Sequence, residues 1–149
     1  MKIVKRILFY LLSFTWGIVL SLPGLFVIAF SACFKKVYVF HGRLYAVWGE
    51  NWGGFNLGCF FLCSKRALEE DEYGIHARAH ECGHGIQNII FGPLTVFIVT
   101  IPSIIRYWYR ESVYKKNPQT YYELPKYDTI WFEGQASCWG IKYILTDRI

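Results

Sequence analysis

Residues 80–84 carry the pattern His-Glu-x-x-His, in which His80 and His84 lie four positions apart. On an α-helix four residues turn through about 400°, so the two imidazoles project from the same face. Two histidines placed in this way can bind one zinc ion through ring nitrogens at about 2.0–2.1 Å. Glu81 is displaced from the histidine row, but it can still reach a zinc-activated water as a general base. The motif therefore predicts zinc-dependent hydrolysis.

A third metal ligand is expected, because a catalytic zinc ordinarily has three protein ligands and one open position. No histidine follows His84 in the chain. Glu133 is the only charged residue in the apolar segment 129–141, and a buried carboxylate needs a partner, which a metal would provide. We predict Glu133 as the third ligand. The alternative is a structural ion pair of Glu133 with Arg78 or Arg106.

A structural zinc site is the competing interpretation, and it would need four protein ligands. The candidate fourth donors are His41, His76 and Cys138. His76 extends the histidine row, but it lies about 12 Å from His84 along a helix axis, which is too far for one shared ion. A four-ligand site would indicate a non-catalytic membrane protein with a regulatory or immunity role. The presence of Glu81 favours the enzyme, because a structural site needs no base.

Three further polar residues are candidates for assisting the site. Gln87 and Asn88 follow His84 by one helical turn and could orient the metal ligands through hydrogen bonds, or they could simply satisfy polar groups between helices. Hydrolysis also needs a donor to the developing oxyanion. The sequence does not choose among the candidates for that donor, which include Tyr127 and also Tyr107, Tyr109, Tyr121, Tyr122 and Arg106.

Two helices must bring these residues together. Residues 73–91 have a helical pattern that ends at Gly92-Pro93. A last helix is predicted over about 129–145, with Asp128 as its N-cap. Small residues at 136, 137 and 140 follow Glu133 at helical spacing. This small-residue stripe should let the last helix approach the histidine helix closely.

The composition points to a membrane protein. Of 149 residues 54% are hydrophobic and 18% are charged, which excludes disorder. The net charge of +5 comes without the clustered basic stripe that nucleic-acid binding needs. Residues 7–34 carry no charge and would form a helix of about 42 Å, against a hydrocarbon core of about 30 Å. We therefore predict an N-terminal basic segment and transmembrane helix over 1–34, with a lipid bilayer as partner.

The remaining residues, 35–149, are predicted to form one zincin-like metallopeptidase domain. A β-hairpin is indicated over Val37–Phe40 and Arg43–Trp48, and Phe55–Cys63 is typical of a third strand. The apolar segment 94–110 ends in aromatic and basic residues and predicts a partly membrane-embedded helix. The predicted fold class is thus an α+β membrane protein with a small antiparallel sheet of about three strands.

Five cysteines cannot all pair within one chain. We interpret them as reduced, mostly packing residues, which favours a site facing the cytoplasm. Basic residues flank segment 7–34 on both sides, so their distribution does not decide the membrane orientation.

The sequence resembles the integral-membrane gluzincins, which are zinc peptidases with His-Glu-x-x-His on one helix and a glutamate in an E-x-x-A-[D/S/N] context on a later one. The stretch Glu133-Gly-Gln-Ala136-Ser137 matches the second element. More closely, the chain is similar to a group of small bacterial membrane proteins over about residues 50–145. The shared pieces are Gly53-Gly54, Leu57-Gly58, His80 to Gln87, Gly92-Pro-Leu94, Ile101-Pro-Ser103 and Trp131 to Ala136.

The resemblance implies zinc held by His80, His84 and Glu133, with Glu81 as the catalytic base. It implies a membrane-anchored metallopeptidase of the bacterial cell membrane whose substrate is a peptide or protein, with membrane-associated substrates among the candidates. Ser137 stands where many such peptidases have aspartate, so the hydrogen bond from that position to a histidine does not carry over.

Overall fold

The computed structural model describes residues 2–146 of the chain. Four strands form one sheet: β1 (Val37–Phe40), β2 (Arg43–Val47), β3 (Gly54–Leu57) and β4 (Phe60–Cys63). Six α-helices surround it: α1 (Lys2–Phe14), α2 (Ile18–Phe34), α3 (Glu72–Phe91), α4 (Ile101–Lys116), α5 (Pro118–Glu123) and α6 (Trp131–Trp139). Short 3-10 and π-helical segments join several of them, and a π-helical segment, Gly140–Thr146, continues α6.

The sheet is mixed, with the strand order β1-β2-β4-β3. The predicted hairpin is confirmed, because β1 and β2 pair antiparallel. The prediction of an antiparallel sheet of about three strands is wrong, since β2 and β4 pair in parallel and segment Phe55–Cys63 contains parts of two strands. The chain reverses at Gly58, whose φ of +72° suits glycine. The Asn56 side chain accepts a hydrogen bond from the Gly58 N–H at 2.9 Å and stabilises this turn.

The largest core cluster lies between the sheet and α3. The rings of Tyr45 on β2 and Phe61 on β4 stack with centroids 4.7 Å apart. Ala79 and Cys82 on α3 are fully buried in the same cluster. This packing fixes the helix that carries the histidine motif against the sheet.

The predicted N-terminal transmembrane helix is wrong. Within residues 2–146, no individual helix is both long enough and apolar enough to cross a bilayer. Segment 7–34 is divided into α1 and α2, which meet at an angle of 98°. Together the two helices have the length and the apolar composition of a membrane span, but neither helix has them alone.

A distant contact explains this break. At the junction Gly17 packs against Asn88 of α3, whose side-chain nitrogen donates to the Gly17 carbonyl at 3.1 Å and to Ser21 Oγ at 3.3 Å. A side chain at position 17 would overlap the Asn88 amide. A hydropathy profile averages over neighbouring residues, so it does not reveal a contact between residues 71 positions apart.

The predicted apolar helix over 94–110 is not one regular helix. After α3 the chain forms a 3-10 turn at Gly92–Leu94 and a π-helical segment at Val96–Thr100, and α4 follows. The bend between α3 and the segments that lead into α4 is 118°. The division of the chain at residue 34 into two domains stays a prediction, and residues 1 and 147–149 lie outside the described part of the chain.

Candidate metal centre

Helix α3 presents the histidine motif from its middle turns. Asp71 is its N-cap, and the Asp71 carboxylate accepts a hydrogen bond from the Gly74 N–H at 2.8 Å. The helix ends at Gly92, which has a positive φ of +56°. The sequence predicted a helix over 73–91, and the structure confirms it.

Helix α6 crosses α3 at very close range, as the small-residue stripe predicted. A Cβ atom on Gly83 of α3 would overlap the backbone of Ala136, and one on Gly140 would overlap the Ala79 carbonyl. Only glycine, which has no Cβ atom, allows two helix backbones to approach this closely. This approach brings Glu133, on the first turn of α6, against the histidine face of α3.

Three potential ligand atoms converge in the interior. His80 Nε2 and His84 Nε2 are 3.1 Å apart, and Glu133 Oε2 lies 3.1 Å from the first and 3.2 Å from the second. Glu133 is fully buried, and both histidines are largely buried. These three residues form a group that could hold a metal ion.

Each imidazole ring makes a hydrogen bond through its Nδ1 atom, and this bond determines which ring nitrogen carries the proton. Gln87 donates from its amide nitrogen to the Phe132 carbonyl at 2.8 Å, which turns its oxygen toward His84 Nδ1 at 2.7 Å. A neutral His84 therefore carries its proton on Nδ1 and a lone pair on Nε2. His80 Nδ1 lies 2.9 Å from the Ser137 hydroxyl, which can accept in the same way. Both Nε2 atoms are thus prepared as ligands.

The spacing fits a tetrahedral cation. Ligands at about 2.0–2.1 Å from one zinc ion, at tetrahedral angles, lie about 3.3–3.4 Å from each other, close to the separations observed here. Within residues 2–146 no lysine or arginine pairs with Glu133. Arg78 instead pairs with Glu70 at 2.8 Å, and Arg106 donates to the Tyr127 carbonyl at 3.0 Å. The second oxygen of Glu133 is buried without a hydrogen-bond partner, as is compatible with a carboxylate that serves a metal.

The pKa values of the three residues reflect how closely their side chains lie together. Burial raises the pKa of Glu133, but hydrogen bonds from His80 and His84 outweigh burial, so its pKa is lowered. Burial lowers the pKa of His80. For His84 the effect of burial is exceeded by the hydrogen bond to Glu133 and the nearby Glu81 carboxylate, and its pKa is raised. A cation bound between the three residues needs both imidazoles neutral, so its binding would release any proton that they hold on Nε2.

Glu81 lies beside the group without belonging to it. Its side chain is 5% exposed, and one carboxylate oxygen has no hydrogen-bond partner. Burial raises the pKa of Glu81 to about 8, and the neighbouring Glu133 carboxylate adds to the effect. Glu81 is therefore a buried carboxyl group with unused hydrogen-bonding capacity beside the ligand group.

Strand β3 holds Glu81 in place. A Cβ atom on Gly54 would lie 2.5 Å from Glu81 Oε1 and 2.7 Å from its Cδ and Cγ atoms. The Asn56 side chain also donates to the Glu81 carbonyl at 2.8 Å. The bare backbone at Gly54 thus leaves room for the carboxylate and limits its movement.

The group opens into a cavity of about 600 Å³. One wall is β3, which pairs with β4 on one side only and lies at the edge of the sheet. Tyr127 forms part of another wall. Burial and the neighbouring Glu133 raise the pKa of Tyr127, which keeps its hydroxyl protonated and able to donate. The hydroxyl also lies 3.4 Å from Ser103 Oγ.

The other candidate residues lie in different places. Asn88 bonds to the α1–α2 junction and not to the metal ligands. His76 lines the cavity with its ring centroid 6.4 Å from that of His80, Cys138 is exposed, and His41 contacts Phe40. Among residues 2–146 none of these joins the ligand group.

Sequence reasoning missed three contributions. Ser137 bonds to His80 although it replaces the aspartate of the resembled peptidases. Gly54 gives space to Glu81, and only the Gly-Gly pair of the resemblance signalled it. Arg110 lines the cavity, whereas the aromatic and basic pattern of residues 106–110 predicted a place at a membrane interface.

Comparisons with known proteins do not extend this description. No family model matches the chain, and no curated protein or solved structure is significantly similar to it.

Proposed function

We propose that the protein is a zinc metallopeptidase of the gluzincin type, with zinc held by His80, His84 and Glu133. The observation that carries the proposal is the convergence of three ligand atoms within 3.2 Å of one another beside an unpaired, buried Glu81 carboxylate. Two imidazoles and one carboxylate are a ligand set of catalytic zinc sites. A ligand group that opens into a cavity also leaves access for a substrate.

Zinc bound there would lower the pKa of water and polarise a carbonyl group. Glu81 acts as the base that accepts a proton from the attacking water and then donates it to the leaving amine. Without a cation, burial raises the pKa of Glu81 to about 8. The nearby cation would shift that pKa downward and keep Glu81 ionised before the attack. Tyr127 is the candidate donor to the oxyanion.

A peptide is the substrate class that the cavity favours. The outer edge of β3 has no strand partner among the described residues. An extended peptide can add to such an edge through main-chain hydrogen bonds. Gly54, on that edge, contacts Glu81, so a peptide aligned there passes directly beside the proposed base.

A non-catalytic zinc clamp is the competing function. It would need a fourth protein ligand, and within residues 2–146 no fourth histidine, cysteine or carboxylate joins the group. A structural zinc site would also leave Glu81 without a role, because such a site needs no base.

The test is zinc content and peptide hydrolysis in matched variants. We expect wild type to bind about one zinc per chain, by the three-ligand logic, and to cleave peptides. His84→Ala and Glu133→Ala should lose zinc and activity together. Glu81→Gln should keep zinc and lose activity by at least about 100-fold, in line with loss of a general base. Plasma emission spectrometry and a quenched-fluorescence peptide library provide the two measurements.

Glu111→Gln is the matched control, because Glu111 also lines the cavity but is not a member of the ligand group. It should keep both zinc and activity. Undiminished cleavage by Glu81→Gln would exclude the mechanism, and zinc retained by both ligand variants would exclude the site.

We also propose a lipid surface as partner. The side chains of α1 include five large apolar residues that are more than half exposed: Ile3, Val4, Ile7, Leu8 and Leu11. Exposed Lys5 lies on the same helix. A helix with a solvent-facing apolar stripe and neighbouring basic residues suits the interface of an anionic bilayer. Location at the bacterial cell membrane with a cytoplasm-facing site stays a prediction.

A further inference from the structure

Arg110 on α4 lines the proposed active-site cavity at a distance from the metal ligands. Only 9% of the residue is exposed. Its Nη1 atom donates to the Pro125 carbonyl at 2.7 Å, whereas its Nε atom is buried without an acceptor. The guanidinium of this cavity-lining residue therefore has unused donor capacity.

Two aromatic rings hold this guanidinium in place. Its Cζ atom lies 4.9 Å from the ring centroid of Tyr121 and 5.8 Å from that of Tyr127. Cation–π contacts of this kind fix the plane of the group and stabilise its charge. They do not satisfy its N–H donors.

Arg110 has no carboxylate partner among residues 2–146. Arg66, the other arginine of the cavity, pairs with Asp71 at 2.5 Å. Glu111 and Asp128 also line the cavity. Glu111 pairs with Lys115 at 3.8 Å, and neither acid forms an ion pair with Arg110. A buried cation without an anion is costly, and an anion in the cavity would remove that cost.

The position of Arg110 relates it to the zinc ligands. The ring of Tyr127 contacts Arg110, and Arg110, Tyr127 and Glu133 line the same cavity. A roughly spherical cavity of about 600 Å³ is about 10 Å across. An extended peptide, at about 3.4 Å per residue, covers such a span in about two or three residues.

We propose that Arg110 binds a carboxylate of the peptide substrate, placed two or three residues from the cleaved bond. The carboxylate is that of the chain terminus or of an acidic side chain, because both present the same two oxygens to a guanidinium fork. The proposal rests on the proposed function for its link to cleavage, but it makes a separate claim about binding.

Binding is measured with zinc-loaded Glu81→Gln protein, so that no turnover interferes. The probes are three alanine hexapeptides with a central phenylalanine and an uncharged fluorophore on an N-terminal amide: one with a free C-terminal carboxylate, one with a C-terminal amide, and one amide with glutamate as its last residue. Fluorescence anisotropy gives each Kd. We expect the free-carboxylate or the glutamate peptide to bind at least about tenfold more tightly than the neutral amide, and the preferred one identifies the source.

Arg110→Gln in the same background should abolish that preference, and Arg110→Lys should restore part of it, because lysine keeps the charge but not the fork. Arg66→Gln is the matched control. Arg66 also lines the cavity, but its guanidinium is already paired with Asp71. Arg66→Gln should keep the preference. Thermal denaturation of all variants separates a loss of binding from a loss of folding.

Equal Kd values for the three peptides, a preference that survives in Arg110→Gln, or no binding of any peptide would each overturn the proposal. Cleavage of the same peptides by zinc-loaded wild type separates the two claims. A carboxylate preference in binding without cleavage supports this inference and contradicts the proposed function. Cleavage without a carboxylate preference in binding supports the proposed function and contradicts this inference.

Discussion

At the scale of single residues, the candidate centre depends on what lies behind each reactive group. Gln87 and Ser137 orient the two imidazoles from the side away from the ligand atoms. Gly54 matters by having no side chain, because its backbone lies against the Glu81 carboxylate. Ligand identity and ligand orientation are therefore separate contributions, and substitutions can test them separately.

We predict that Gly54→Ala lowers peptide hydrolysis by about 10- to 100-fold, because small displacements of a reacting group have large effects on rate. The added methyl group would lie within 2.7 Å of three Glu81 atoms and displace the base. The metal ligands are not touched, so zinc content should stay at the wild-type value. Cleavage rate and zinc content of the same preparation give the answer.

Gly53→Ala is the control for this prediction. A Cβ atom there meets nothing within 4 Å, although its φ of +96° makes the substitution locally strained. It should lower stability without a comparable loss of rate. A Gly54→Ala protein as active as wild type would show that Gly54 does not position Glu81.

The chemistry at this scale was the most predictable from sequence. The spacing of His80 and His84 and the isolated charge of Glu133 were enough to predict the ligand group, because helical geometry and the rarity of buried acids are local arguments. The sequence left two roles open for Asn88: a hydrogen bond to a metal ligand, or the satisfaction of polar groups between helices. The structure shows the second role, and the partners Gly17 and Ser21 lie far away along the chain, so the sequence alone could not choose.

At the scale of elements, the site depends on how closely α6 approaches α3. Both contact points are glycine against backbone, at Gly83 and at Gly140. Since α6 carries Glu133 and α3 carries both histidines, the separation of these two helices sets the separation of the ligands.

We predict that Gly83→Ala weakens zinc binding by at least about tenfold. The new methyl group would overlap the Ala136 backbone and force α6 outward, and such overpacking typically costs about 1–3 kcal/mol. Isothermal titration with zinc and thermal denaturation of the metal-free protein measure the two effects.

Gly85→Ala makes the same change on the same helix, so it carries the same gain in helix propensity. Its Cβ atom would press on the Gly58 carbonyl beneath the helix and not on α6. It should destabilise the fold while leaving the zinc affinity close to that of wild type. If the two variants lose zinc affinity equally, helix separation does not control the site.

Element boundaries show where local patterns stop being informative. Helix α3 and the first hairpin are specified by nearby residues, and both were predicted. Segment Phe55–Cys63 is apolar throughout, and only the turn at Gly58 divides it. The last helix begins at Trp131, later than predicted, and its final part is a π-helical segment. Breaks of this kind depend on contacts that a single segment does not reveal.

At the scale of the whole molecule, the largest departure from the sequence prediction is the bend between α1 and α2. The uncharged segment is long enough for a span, but tertiary contacts fold it back on itself. The exposed apolar side chains of α1 still need explanation, and the proposed lipid surface provides one.

We predict that the full chain floats with vesicles of phosphatidylcholine and phosphatidylglycerol, and less with phosphatidylcholine alone, because Lys5 and its basic neighbours favour anionic lipid. Replacing both Ile7 and Leu11 by serine should weaken binding by about tenfold or more, as expected for the loss of two buried apolar side chains. Vesicle flotation with quantified protein provides the measurement.

Val39→Ser is the control, since Val39 is 66% exposed but lies on β1 and not on α1. It should bind vesicles like wild type. Equal flotation of the double variant and wild type would exclude α1 as the contact surface.

The Asn88 contact links the proposed lipid surface to the proposed chemistry. The amide that holds the α1–α2 junction belongs to the helix that carries His80 and His84. If α1 rests on a bilayer, the scissile bond is presented at a fixed height above the headgroups. The protein would then cleave a substrate only where its chain extends to that height. The distance of the cleaved bond from the membrane would govern the choice of substrate as much as the substrate's sequence.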